Sequence, residues 1–138
     1  HLTLYFTVDA PVDNDYRFFL FFTDAEGNTP PEEPPLTAHI QYPLSQELVA
    51  TSWYPPTRWQ EGEVVRADSW HWTMAKPTEF GIALGVIDGS GQWDLEQRLR
   101  PSIVDAGDGA KLVQDGTLLQ LLELRSDGRR VEKTSATD

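Results

Sequence analysis

Leu2, Leu4, Phe6 and Val8 alternate with Thr3, Tyr5 and Thr7 at the head of the chain, the period of two expected of a strand that buries one face. The turn cluster DAPVDND at 9–15 ends it, and Tyr16–Thr23 predicts a second strand. There Tyr16, Phe18, Leu20 and Phe22 share one side while Phe19 and Phe21 occupy the other. Residues 24–28, DAEGN, close that strand with hairpin-type turn chemistry. Residues 29–45 carry TPPEEPP and Pro43, which favours an extended surface connection over a regular ladder.

Further along, 46–53 fits a short strand or a turn of helix, and 63–74 a longer strand with Trp70, Trp72 and Met74 on one side and His71 and Thr73 on the other. A turn at 76–78 leads to a strand over 80–87, whose Gly81 and Gly85 leave room for a ring or another backbone to approach closely. DGSG at 88–91 is a strong turn signal, 93–100 suits a short helix or strand, and VDAGDGA at 104–110 is a further loop. Five leucines over 117–124 would suit a helix, but turns flank the stretch closely and predict a strand, with Leu118, Gln120, Leu122 and Leu124 on one face. The chain from Ser126 is polar and reads as a frayed tail.

Many short strands separated by turns predict an all-β fold, a two-sheet antiparallel β-sandwich of immunoglobulin-like or jelly-roll-like type, as a single domain over 1–125 followed by a flexible tail over 126–138. In it the Trp70/Trp72 face would pack on the Phe18/Leu20/Phe22 face. The stretch YPPTRWQEGEVV at 54–65 poses a choice between a displayed binding loop and a connection feeding a buried strand. Pro55 and Pro56 fix an extended approach, Gly62 permits a turn, and Val64 and Val65 begin a strand, so Trp59 is expected to close one end of the sandwich.

Composition narrows the functional classes. The chain has 138 residues, 39% hydrophobic and 11% aromatic, with ten Gly and ten Pro, enough for one core of many short elements and too apolar for disorder. Eleven Lys and Arg against twenty-two Asp and Glu give a formal charge of −11, which the phosphate backbone of a nucleic acid would repel. Arg outnumbers Lys eight to three. That balance fits a halophilic protein whose self-repulsion is screened within roughly 3 Å at 1 M salt. No cysteine is present, so neither disulfides nor thiolate metal sites enter. No apolar run approaches the roughly 18 residues of a membrane span and no signal-peptide pattern opens the chain, so this segment is not expected to insert into a membrane. The start at His1, directly in strand-like sequence, predicts a segment of a longer polypeptide.

Three stretches, VDNDYRFFLFFTDAEGN (12–28), PPTRWQEGEVVRAD (55–68) and FGIALGVID (80–88), together resemble an accessory β-sandwich domain of bacterial membrane glycosyltransferase-like proteins and of some secreted polysaccharide-active proteins. In that family a strand ending in D-A-D-G, a W-x-x-G-E-V-V segment and a strand ending in G-L-Y-D recur in this order; Ile87 stands here at the usual Tyr. The resemblance covers 12–88 and implies a non-catalytic accessory module of a larger exported or membrane-tethered protein, extracellular or periplasmic. Its partner would be the rest of its own polypeptide or another protein domain. It carries over no ligand residues.

The residues offer little reactive apparatus. His1, His39 and His71 lack metal-site spacing. Asp9, Asp13, Asn14 and Asp15, and Asp105 with Asp108, supply hard oxygens but not the spaced calcium loop, and Asp and Asn cap turns by bonding nearby backbone. There is no nucleophile elbow and no phosphate-binding glycine loop, so no cofactor, metal or catalytic residue is assigned; a small hydrolase with an acidic pair is the distant alternative. Carbohydrate binding is the nearer one, since aromatic faces stack on the C–H patches of sugar rings. Trp70 and Trp72, at strand period, are expected in the core, whereas Trp53 and Trp93 lie beside turns. Phe19 and Phe21, expected to share a surface with Tyr5, form the other candidate; their expected cover is the chain's own 29–45 segment or the last strand, and a partner would be the functional alternative. The candidate binding residues are therefore Trp53, Trp93, Phe19, Phe21 and Tyr5.

Overall fold

The computed structural model describes residues 1–29, 45–69, 77–102, 110–127 and 131–134. The fold is all-β with two antiparallel sheets in a sandwich-like arrangement. β1 (Thr3–Thr7) pairs with β4 (Val64–Asp68) in a two-stranded sheet. Among the described residues a six-stranded sheet runs β3-β2-β5-β7-β6, from β3 (Ser45–Glu47), β2 (Arg17–Thr23), β5 (Pro77–Ile87), β7 (Leu118–Asp127) and β6 (Lys111–Val113), with β8 (Val131–Thr134) also on β7.

The alternation at the head of the chain is expressed directly. Leu4 lies opposite Ala67 and Phe6 opposite Val65, facing the large sheet, while the outward pairs are Thr3 with Asp68 and Tyr5 with Arg66. Against this small sheet pack Phe18, Leu20 and Phe22 of β2 and Phe80 and Ile82 of β5, forming the principal core. Trp59 closes its end. Its ring lies 5.9 Å from Phe6 and 5.5 Å from Phe18, and its indole N–H donates to the Tyr54 carbonyl at 2.9 Å. The stretch 54–65 is thus a connection that seals the core, and Gly62 turns it at φ +86°. Trp70, Trp72 and Met74 lie outside the described residues.

The six-stranded sheet also has a second core on its other face, built from Phe19, Phe21, Ala83, Ile87, Val113 and Leu118. Gly85 makes it possible, because a Cβ there would stand 2.6 Å from Leu118 Cδ2 and 2.8 Å from Phe21 Cε2. The segment after β5 covers this face. Asp88 N–H donates to the Gln97 carbonyl and Ile87 bridges Arg98, which folds Trp93 and Arg98 back over the Phe21 ring, with centroid distances of 5.1 Å and 4.8 Å. Arg98 is held by Gln92 O at 2.9 Å, Gln114 Oε1 at 2.8 Å and Thr117 Oγ1 at 3.1 Å. Burial lowers its pKa, with Asp94 opposing. Among the described residues, Phe21 is covered by the chain's own 93–98 segment; of the 29–45 segment expected to cover this face, residues 30–44 lie outside the described residues.

Three expectations are corrected. The β5–β7 register skips Leu121 between the pairs Ile82–Leu122 and Ala83–Gln120. This bulge reverses the alternation, so Leu118 and Gln120 share the second face while Leu122 and Leu124 join the principal core. Of the turn expected over 76–78, Pro77 and Thr78 instead begin β5, while Lys76 lies outside the described residues. The polar tail expected from Ser126 is partly strand: β7 continues to Asp127 and β8 pairs back on it, with Arg125 and Glu132 opposed across the pair. Its exposed Glu132 and Lys133 suit an edge strand.

Candidate functional site

Where β2 begins and β3 ends, the chain leaves a cleft of about 380 Å³. Each wall follows from local structure. Asp15, Tyr16 and Arg17 lead into β2, Glu47 closes β3, Thr51 and Ser52 come from the single helical turn α1 (Ala50–Trp53), and Pro55 and Pro56 form the rigid floor of the connection that follows.

Glu47 lies opposite Phe19 in the β2–β3 pair, so Arg17, two residues along β2, reaches it diagonally on the same face. The guanidinium grips both carboxylate oxygens, Nε to Oε2 at 2.8 Å and Nη2 to Oε1 at 3.0 Å, and lies 5.0 Å from the Phe19 ring centroid. This hydrogen bonding raises the pKa of Arg17 against the opposing effect of partial burial. Asp15 is braced from the other side: its Oδ1 accepts the Thr57 N–H at 3.1 Å and the Thr57 hydroxyl at 2.6 Å. Asn14 donates from its side chain to Asp88 at 3.2 Å. Asn14 and Asp15 of the Asp-rich turn thus tie loops together, and among the described residues no three His, Asp or Glu side chains converge to hold a metal ion.

The segment carrying α1 is also fixed. Thr51 Oγ1 donates to the Leu48 carbonyl at 2.7 Å. The Tyr54 hydroxyl donates to Glu63 Oε1 at 2.7 Å and lies 3.1 Å from the Arg58 carbonyl; the bond to Glu63 raises the pKa of Tyr54. On this anchored backbone, directly after Ser52 of the cleft wall, Trp53 is 82% exposed.

The five aromatic residues singled out in the sequence are dispersed. Trp53 follows Ser52 of the cleft wall in the chain and is not itself among the residues that line the cleft. Trp93 is 46% exposed, but one edge of its ring rests on Phe21. Phe19 and Phe21 are 4% and 0% exposed and so unavailable to a ligand. Tyr5, 66% exposed, lies on the outer side of the small sheet because β1 pairs with β4 and not with β2, so it shares no surface with them. Asp15, Arg17 and Glu47 were missed as a group. The only trace in the sequence is a charged residue at the mouth of an aromatic strand, and nothing in the spacing of 15, 17 and 47 announces that they meet.

A second hollow of about 250 Å³ is apolar, lined by Leu84, Val86, Leu99 and Leu119 with Arg100, Pro101 and Thr117 at its margin. Leu99 and, on β6, Leu112 are exposed. Among the described residues no helix is long and apolar enough to cross a membrane. No protein-family model matches this chain, and comparison with curated proteins and with solved structures finds no match.

Proposed function

We propose that the chain is a non-catalytic interaction module of a larger exported or membrane-tethered protein. The observation that carries this reading is Trp53, an indole 82% exposed on a backbone held by its neighbours, the next residue along the chain from Ser52 in the wall of a cleft whose ion pair and Asp15 brace are already set in place. Rigid aromatic display beside pre-set polar groups is the chemistry of recognition. Glu47 has both oxygens on Arg17 and Asp15 has one oxygen on Thr57, arrangements that hold charge in position. The apolar hollow at Leu84 and Leu99 offers a separate contact for the rest of the polypeptide.

The placement in an exported protein rests on the sequence resemblance, and the acidic surface suits a saline exterior. Amide chemical-shift mapping of the chain against polysaccharide fractions and against the flanking parts of its own reading frame tests the reading. Saturable shifts around Trp53 or the apolar hollow are expected, without product release. Silence towards every probe, or cleavage of one of them, would overturn it. A carbohydrate-binding module is the second reading, favoured by the cleft whose wall residue Ser52 directly precedes the exposed Trp53.

A further inference from the structure

Resting on that reading, we propose that the cleft between the start of β2, the end of β3 and α1 is a binding site for one or two neutral sugar rings, with Trp53 as the stacking platform. Its volume of about 380 Å³ falls at the small end of ligand sites, which run roughly 300–1,000 Å³, suiting a sugar terminus better than a folded partner.

Charge selects the ligand class. Asp15 and Glu47 outnumber Arg17 in the lining, and the chain carries −11 overall; both disfavour phosphate, sulfate and uronate. A bare cation is disfavoured too, because Glu47 gives both oxygens to Arg17 and Asp15 Oδ1 already accepts twice. What the cleft still offers is alternating donor and acceptor capacity: Nη1 of Arg17, Oδ2 of Asp15 and the hydroxyl of Ser52. A hydroxyl of a vicinal diol donates to a carboxylate and accepts from a guanidinium at once, and a neutral polyol brings no charge to be desolvated.

Pre-organisation works in the same direction. The ion pair, the Asp15–Thr57 brace and the two prolines leave little to order on binding. Trp53, the next residue after the cleft-wall Ser52, presents an uncovered indole to the C–H face of a ring that the polar groups would hold by its hydroxyls.

The test is amide chemical-shift titration of the intact chain with neutral cello-, xylo-, malto- and manno-oligosaccharides up to about 10 mM, the weak range of single-site recognition, with charged oligouronates and a proline-rich peptide as comparison probes. At least one neutral series should give saturable shifts centred on 15–17, 47 and 51–53. Trp53→Ala should weaken binding about tenfold and Asp15→Asn about fivefold, magnitudes usual for contact residues, while Tyr5→Ala leaves affinity unchanged. Trp53 is so exposed that its removal spares the fold, and an unshifted spectrum elsewhere checks this. No saturable shift with any neutral series overturns the proposal, as does binding indifferent to Trp53→Ala or seen only with the oligouronates or the peptide. If sugars fail but the flanking polypeptide binds, the ligand class is wrong and the interaction module stands; if an oligosaccharide is shortened, the non-catalytic reading itself fails.

Discussion

Gly85→Ala offers the most direct measurement of how tightly the second core is closed. In an open strand the substitution would stabilise by about 0.4–1 kcal/mol, because alanine restricts the unfolded chain. Here the new methyl would sit 2.6 Å from Leu118 Cδ2 and 2.8 Å from Phe21 Cε2, each about 1 Å inside normal carbon–carbon contact. Both neighbours are fully buried, and Phe21 is pinned from above by Trp93 and Arg98, so neither can swing into solvent. Overpacking of this kind costs about 1–3 kcal/mol. After the gain in the unfolded state is subtracted, a net loss of about 1–2 kcal/mol remains, or roughly 3–8 °C in Tm for a domain of this size. Urea denaturation followed by tryptophan fluorescence reads it as a lowered midpoint at constant slope. Leu118→Val removes the nearest carbon and should recover about 1 kcal/mol of the alanine penalty, a coupling visible in a double-mutant cycle. Gly62→Ala is the contrast: no atom lies within 4 Å of its Cβ position, and its cost comes only from φ +86°, so Leu118→Val should leave that cost untouched. A Gly85→Ala chain as stable as the parent, or a penalty indifferent to Leu118→Val, would refute the packing argument.

Trp59→Ala should cost about 3–5 kcal/mol by opening the end of the principal core, whereas Trp59→Phe, which keeps a ring near Phe6 and Phe18 but drops the bond to the Tyr54 carbonyl, should cost about 1 kcal/mol; chemical denaturation separates the two. Tyr54 should ionise above the ordinary 10.0 because its hydroxyl donates to Glu63. A folded-state pKa raised in this way stabilises the fold below the unfolded-state value, and the contribution is lost as pH rises through the folded-state value. Ultraviolet titration of tyrosinate should show the raised titration in the parent and its reversal in Glu63→Ala. Arg98→Lys should destabilise by about 2 kcal/mol despite keeping the charge, because an ammonium cannot reproduce the planar set of bonds to Gln92, Gln114 and Thr117 over the Phe21 ring; a midpoint equal to that of the parent would remove Arg98 from the cover of the second core. With −11 on the chain, raising salt from low ionic strength should raise Tm, and a flat or falling dependence would count against salt adaptation.

Much of the fold could be read from alternation because strands with a buried side write their pattern locally. Leu4 and Phe6 against Tyr5, and Phe18, Leu20 and Phe22 against Phe19 and Phe21, are found on the faces their spacing predicts. Pairing could not be read in the same way. Residues 3–7 meet residues 64–68 across a long interval, and no local signal distinguishes that partner from the adjacent β2. A short edge strand such as Lys111–Val113, in which only Val113 is buried, leaves hardly any hydrophobic signature. The cleft was illegible for a related reason. Arg17 and Glu47 acquire meaning only through the β2–β3 register, and Asp15 only through the 3₁₀ turn that brings Thr57 to it. Phe21 looked like a possible contact residue because its cover comes from a loop whose return path depends on the turn at 88–91.

The extra residue at Leu121 has a consequence for how this sequence tolerates change. Because it inverts the parity of β7 midway, one strand serves two separate interiors, and a sliding error of a single position would expose leucines at one end while driving the half-buried Glu123 into oil at the other. Deleting Leu121 would impose that mismatch permanently. The irregularity therefore acts as a lock on alignment, and the short stretch around it should admit side-chain replacement far more readily than any insertion or deletion.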